Sequence, residues 1–155
     1  MTPAAGPTIH ASAVRVGPRA ILIRGPSGAG KSRLAFDLVL AGLAGQIAAT
    51  QLVGDDRVFL SREDDAVMVR PAPELAGLIE IRGLGIRHCP FAPQGPVGLI
   101  VDLAATDAER LPAAAALHDT IYGIEIPRIP VGRGDEALRL VLAALVLGDS
   151  RAIFA

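Results

Sequence analysis

The residues Gly25-Pro26-Ser27-Gly28-Ala29-Gly30-Lys31-Ser32 match the phosphate-binding loop G-x-x-x-x-G-K-[ST] at every specified position. The glycines let successive backbone N–H groups curl toward one anion, and a helix starting near Lys31 adds the positive end of its dipole. Lys31 can reach the β and γ phosphates of a nucleotide, and the Ser32 hydroxyl can hold Mg²⁺. Lys31 is also the only lysine in the chain; every other basic side chain, histidine aside, is arginine. Downstream, Asp55-Asp56 closes an apolar run, the place where a phosphate-loop protein carries a metal-facing carboxylate. Adjacent side chains on extended chain point opposite ways, so one aspartate can face the metal and the other a nucleophile whose proton it takes. The same two residues also suit a solvated Gly-Asp-Asp turn.

Further candidates lie along the chain. Glu80, within Ile79-Glu80-Ile81-Arg82, suits a second Mg²⁺ ligand or a surface pair with Arg82, and Gly83 and Gly85 behind it permit close approach of a ligand. Arg133, in Val131-Gly132-Arg133-Gly134 ahead of a helix, has the setting of an anion contact or of a solvated loop arginine, and Arg110 is a second loop arginine. His10 alone at a strand end reads as structural or surface. His88-Cys89 lacks the spacing of a metal site, and Cys89 reads as a packing residue.

These residues need a frame to position them. Ala20–Ile23 reads as a buried strand leading into the loop, and Leu34–Leu40 continues as a helix to about Gly42 or Gly45. Ile9–Val16 looks extended, with a turn at Gly17-Pro18. Gln46–Val53 is strand-like, and 57–61 with 66–70 form a hairpin around Glu63-Asp64-Asp65. Leu78–Ile81, Val97–Leu103 and Ile121–Ile129 are further strands. Residues 104–120 suggest a short helix in a mobile loop. Asp135–Leu147 reads as a helix with Asp135 near its N-cap and Gly148 as its stop. Only two helices are convincing, too few for a doubly wound sheet, so the expectation is an α/β protein with a mixed sheet carrying the phosphate loop.

Composition narrows the classes. The 155 residues fit one domain (8–155) behind a loose tail (1–7), enough chain to bury roughly 70% of its unfolded surface. A net charge of −1, with no Trp and few aromatics, argues against a nucleic-acid or membrane-surface binder. One cysteine excludes an internal disulfide and fits the cytoplasm. No apolar run is long enough for a membrane span, and the first residues lack the pattern of a signal peptide.

Together these motifs resemble the bifunctional HPr kinase/phosphorylases. Ile79-Glu80-Ile81-Arg82-Gly83-Leu84-Gly85-Ile86 is similar to their signature, with Pro73–Leu78 resembling its lead-in. Leu52-Val53-Gly54-Asp55-Asp56 is similar to their aspartate-bearing strand end. His10 stands 15 residues before Gly25, as the family's histidine does. Glu109-Arg110-Leu111-Pro112 and Pro130-Val131-Gly132-Arg133 resemble its two arginine loops. The resemblance spans roughly residues 8–147 and implies a phosphoenolpyruvate-carboxykinase-like fold. It implies ATP or pyrophosphate as donor, Mg²⁺ on Ser32 and Glu80, and a seryl residue of the phosphocarrier HPr as acceptor. Asp56 would be the general base, and the acid in reverse, with Asp55 supporting it and the metal shell. Lys31 and His10 would contact the moving phosphate, and Arg110 and Arg133 would serve the reverse phosphorolysis that yields pyrophosphate. Family enzymes are typically hexamers, so a homo-oligomer is implied.

Three departures are visible. The chain begins almost at the catalytic core, like the short forms of some Gram-negative bacteria, so regulation through a separate N-terminal domain is expected to be absent. Arg33 replaces the usual acid after the loop serine, and the segment from helix to Asp55 is longer. The segment around Arg133 is trimmed, and the chain ends at Ala155. These touch phosphorolysis and hexameric contacts more than phosphorylation. Two other readings stay open on the residues: a small-molecule kinase, for which no arginine-rich lid is evident, and a nucleotide-binding sensor without catalysis, against which Asp55, Asp56 and Glu80 argue.

Overall fold

The structure, a computed structural model, describes residues 7–147. The strands are β1 (Ala11–Val16), β2 (Arg19–Arg24), β3 (Thr50–Gly54), β4 (Val58–Glu63), β5 (Ala66–Pro71), β6 (Leu78–Ile81), β7 (Gly85–His88), β8 (Gly95–Leu103), β9 (His118–Ile121) and β10 (Ile124–Val131). The α-helices are α1 (Lys31–Leu43) and α2 (Ala137–Val146), and single 3₁₀ turns lie at Pro73–Leu75 and Ala114–Leu117. The main sheet is mixed and eight-stranded, in the order β3-β1-β2-β8-β10-β9, with the β4–β5 hairpin attached to β8 through β5. β6 and β7 form a separate two-stranded ribbon.

The central strands are apolar throughout because both faces are covered. Ile21 and Ile23 of β2, with Leu99 and Val101 of β8, pack against Leu34, Ala35 and Leu38 of α1 and Val141 of α2. Leu22 and Ile100, one residue out of phase, pack on the other face against Val58, Val67 and Val69 of the hairpin. The result is a mixed α/β architecture rich in strand with two helices on one face.

The strand directions decide where function can sit. β2 and β3 both pair antiparallel with β1, so they run parallel to each other. β8 pairs parallel with β2, and β10 parallel with β8. The C-terminal ends of β3, β2, β8 and β10 therefore meet at one edge, together with the start of β1. In open α/β sheets that edge is where ligands bind.

Some local expectations are corrected. β3 begins at Thr50, because Gly45 adopts φ 75° and the chain turns through 44–49 before it can extend. Glu63 ends a strand, leaving Asp64-Asp65 as the hairpin turn. Residues 121–129 split into β9 and β10, because the chain reverses at Tyr122-Gly123, both at positive φ. Asp135 does lie next to the N-cap of α2, which is Glu136; the Glu136 backbone is extended, and no side chain caps the helix. The proposed stop at Gly148 and most of the proposed tail lie outside the described residues.

Leu38 is fully buried between α1 and the sheet, whereas Leu43, at the end of the same helix, is 79% exposed. Leu38→Ala is expected to cost about 3 kcal/mol of stability in urea denaturation, and Leu43→Ala less than about 0.5 kcal/mol.

Candidate functional site

The phosphate loop is the β2–α1 turn. Gly25 is needed for close approach: a Cβ there would stand 3.0 Å from Leu103 Cβ and 3.2 Å from the Leu103 carbonyl oxygen, so the loop begins packed on the end of β8. Gly30 is needed for conformation; it caps α1 at φ 101°. The first helical bond runs from the Leu34 N–H to the Gly30 carbonyl at 3.0 Å, and no side chain caps the amides ahead of it. The first turn also holds no acidic residue to repel an anion. Lys31 is 7% exposed, and its ammonium donates to the carbonyls of Gly25 (2.8 Å) and Pro26 (3.1 Å). An ammonium has three donors, so one remains for a phosphate oxygen.

Asp55 and Asp56 part company, though not by simple strand alternation. β3 has ended, and Asp56 sits at φ 69°. Asp55 turns inward, 4% exposed, and accepts hydrogen bonds from Ser12 Oγ (2.7 Å), Ser32 Oγ (2.7 Å) and the Glu80 N–H (3.1 Å). Asp56 turns outward, its side chain 60% exposed, with Oδ1 2.6 Å from His10 Nε2. One carboxylate thus sits against the phosphate loop and the other stands in solvent, paired with an imidazole.

Ribbon β6–β7 brings up the signature segment. Ile79 is buried in the core that covers α1, which anchors the ribbon, and residues 82–88 are exposed. Alternation stops at Ile81, because Arg82-Gly83-Leu84 form the turn. The anticipated Glu80–Arg82 pair is not formed, and the Glu80 carboxylate carries no hydrogen bond or ion pair among the described residues. The site offers hard oxygen donors suited to Mg²⁺, which usually takes one or two protein oxygens and completes its shell with phosphates and water. Ser32 Oγ gives its proton to Asp55 and keeps its lone pairs, and Glu80, whose backbone N–H is held by Asp55, carries an uncommitted carboxylate. Among the described residues no three His, Cys, Asp or Glu side chains form an all-protein metal cage.

Arg110 and Arg133 lie in the loops after β8 and β10. The Ala105 N–H donates to the Val131 carbonyl at 2.9 Å, so the two loops start side by side at the site edge. Both arginines are exposed and without a hydrogen bond or ion pair among the described residues. Cys89 packs on the core, and burial pushes its thiol up, away from reactivity. Clefts of about 310 Å³ and 430 Å³ lie at the opposite sheet edge and along α2, and neither includes a phosphate-loop residue.

Sequence reasoning missed an ion network under the loop. Arg24, the last residue before Gly25, holds Asp102 with two bonds of 2.7 Å and reaches Asp119 at 2.6 Å. Arg128 holds Asp102 at 2.5 Å and Asp107 at 2.7 and 3.1 Å. The network ties β2, β8 and β10 together where the phosphate loop and the Arg110 loop leave the sheet. A signal was present: Asp102 stands in the otherwise apolar run Val97–Leu103, and a charge in a buried strand requires a partner. Ser12 carried no such signal.

The family model described as HPr Serine kinase C-terminal domain matches residues 3–148. A protein named HPr kinase/phosphorylase from Mycoplasma mycoides subsp. mycoides SC is 29% identical over 150 residues, covering 88% of this chain and 46% of that protein. One of the same name from Geobacillus thermodenitrificans is 34% identical over 134 residues, covering 79% and 41%. The chain thus spans less than half the length of these relatives. Among solved structures, the HPr(Ser) kinase/phosphatase from Coxiella burnetii superposes with a TM-score of 0.71 at 26% identity, over 89% of this chain and 93% of that one.

The network also sets a pH dependence. Burial by itself would raise the pKa of Asp102, but hydrogen bonds from Arg24 and then Arg128 more than offset it, so the carboxyl lies below its ordinary value. Asp107, hydrogen-bonded by Arg128, is lowered as well. A carboxyl whose folded pKa is depressed stabilises the fold above its unfolded value, about 4, and loses that contribution as pH falls through the folded value. Thermal unfolding followed from pH 6 downward should show Tm dropping below about pH 4, and Asp102→Asn should lower Tm at pH 6 and flatten the decline.

Proposed function

The chain belongs to the HPr serine kinase C-terminal domain family, and on that premise we propose that it moves a phosphoryl group from ATP or pyrophosphate to a seryl hydroxyl of HPr or a related phosphocarrier, and runs the reverse phosphorolysis. The observation that carries the reading is the parting of two adjacent aspartates, Asp55 against the Ser32 hydroxyl and Asp56 outward beside His10. A transfer site needs this division, one carboxylate to organise the phosphate end and another to meet the nucleophile.

In the forward direction the loop amides and Lys31 hold the donor phosphates. Asp56 accepts the proton of the incoming serine hydroxyl, and His10, at 2.6 Å, orients that carboxylate and faces the transferring phosphate. Ser32 and Glu80 hold Mg²⁺, which neutralises charge on the phosphates when bound. In reverse, inorganic phosphate attacks phosphoserine, Asp56 returns the proton to the serine oxygen, and the product is pyrophosphate. Arg110 and Arg133, both uncommitted, serve the added negative charge of that direction. The working assembly is a homo-oligomer, a hexamer by family resemblance. Supporting this, α2 is apolar at every position but Arg139 and buries only Val141.

The deciding experiment incubates the chain with HPr and labelled ATP or pyrophosphate. Phosphoserine on HPr that disappears in Asp56→Asn is the expected result; a bound nucleotide with no labelled protein, or turnover of a metabolite without HPr, overturns the reading. Arg110→Ala is expected to lose phosphorolysis of phosphorylated HPr by on the order of tenfold or more while keeping phosphorylation. Equal loss of both rates would remove the assignment.

A further inference from the structure

β3 reaches the site through an irregularity. Val14 pairs with Leu52 but Ala13 pairs with Gly54, so Val53 is an extra residue on the β3 side. Bulges of this kind re-aim the side chains beyond them. The register through Val16–Thr50, Arg15–Gln51 and Val14–Leu52 would carry Ser12 level with Gly54; the extra residue brings it level with Asp55 instead. There the Ser12 hydroxyl, fully buried, donates to Asp55 Oδ1 at 2.7 Å. Ser32 Oγ donates to the same oxygen at 2.7 Å, and the Glu80 N–H takes Oδ2 at 3.1 Å.

A carboxylate oxygen offers two lone pairs. On Asp55 Oδ1 both are filled by hydroxyls, so this oxygen acts by holding the Ser32 proton and is not itself a metal ligand. Without Ser12, one lone pair of a buried carboxylate is unfilled, and the oxygen is free to turn toward water or cation and release Ser32. We propose that Ser12 is a positioning residue for the phosphate loop: by filling the second lone pair of Asp55 Oδ1 it keeps Asp55 behind Ser32 and keeps the Ser32 lone pairs aimed at the cation on the phosphates. This deepens the transfer-site reading above and rests on it. Bulge and hydroxyl act as one device, since the bulge sets the register and the hydroxyl uses it.

The test uses the full chain, Mn²⁺ as the probe and a non-hydrolysable ATP analogue, with bound Mn²⁺ read by electron paramagnetic resonance. Ser12→Ala is expected to weaken Mn²⁺ binding about tenfold, as removal of an outer-sphere partner does. The Mg²⁺ needed for half-maximal transfer should rise in step, with a smaller change in kcat. Ser12→Thr, which keeps the hydroxyl, should restore binding, and the alanine variant decides alone if the threonine variant does not fold. A Ser12→Ala protein with lower Tm and unchanged Mn²⁺ binding overturns the proposal, because the hydrogen bond is then structural only. Mn²⁺ loss in Ser12→Ala, with no phosphate reaching HPr from the unsubstituted chain, overturns the transfer reading and leaves the role of Ser12 standing; unchanged Mn²⁺ binding in Ser12→Ala, with HPr phosphorylated by the unsubstituted chain, does the reverse.

Discussion

A buried carboxylate is tolerated only when its lone pairs are filled, and the site edge of this molecule is arranged around that requirement at Asp55. Its three donors come from three separate elements: Ser12 from β1, Ser32 from α1 and the Glu80 amide from β6. Each bond fixes something the chemistry needs. The first ties the carboxylate to the sheet, the second turns the loop serine, and the third docks a ribbon that has no strand-to-strand bond to the main sheet. If Asp55 were elsewhere, the phosphate loop would still bind an anion, but the signature ribbon would lose a tie to it.

The second constraint is electrostatic. Two arginines and three aspartates meet by direct contact at the base of the loop, so both guanidinium groups are occupied and the positive potential above is left to Lys31 and the helix amides. Arg24 in particular cannot compete with Lys31 for phosphate, since Asp102 and Asp119 occupy its guanidinium. Arg110 and Arg133, without a hydrogen bond or ion pair among the described residues, are on loops at the rim. Fixed charge below and uncommitted charge at the rim is a division that suits a site whose ligand changes its phosphate count.

Legibility followed the range of the interactions. The phosphate loop was readable because its motif, strand and helix are contiguous, and Asp55-Asp56 because the end of an apolar run marks a sheet edge. The mixed sheet with two helices was readable from the shortage of helical periodicity. Ser12 was not, since its importance comes from a cross-strand register shift by a bulge that no local pattern announces. The Arg24–Asp102 pair, 78 residues apart, depends on which strand neighbours β2. Extended alternation predicted that the two aspartates diverge, yet the divergence comes from the left-handed backbone at Asp56. Asp135 stands beside the N-cap of α2, its amide closing a turn back to Gly132 at 3.0 Å, and Glu136 takes the cap position.

The connector from α1 to β3 turns through residues 44–49 before the strand begins, on the far side of the sheet from the reacting groups. Register is set afterwards, by the Val53 bulge. The molecule therefore has a place where length is free and a place where it is not. Residues can be added or lost between Leu43 and Thr50 and be absorbed as slack, whereas a single insertion or deletion between Thr50 and Asp55 would move the carboxylate off Ser12 and Ser32 together. Any length added ahead of Asp55 has only the first of these places in which to accumulate.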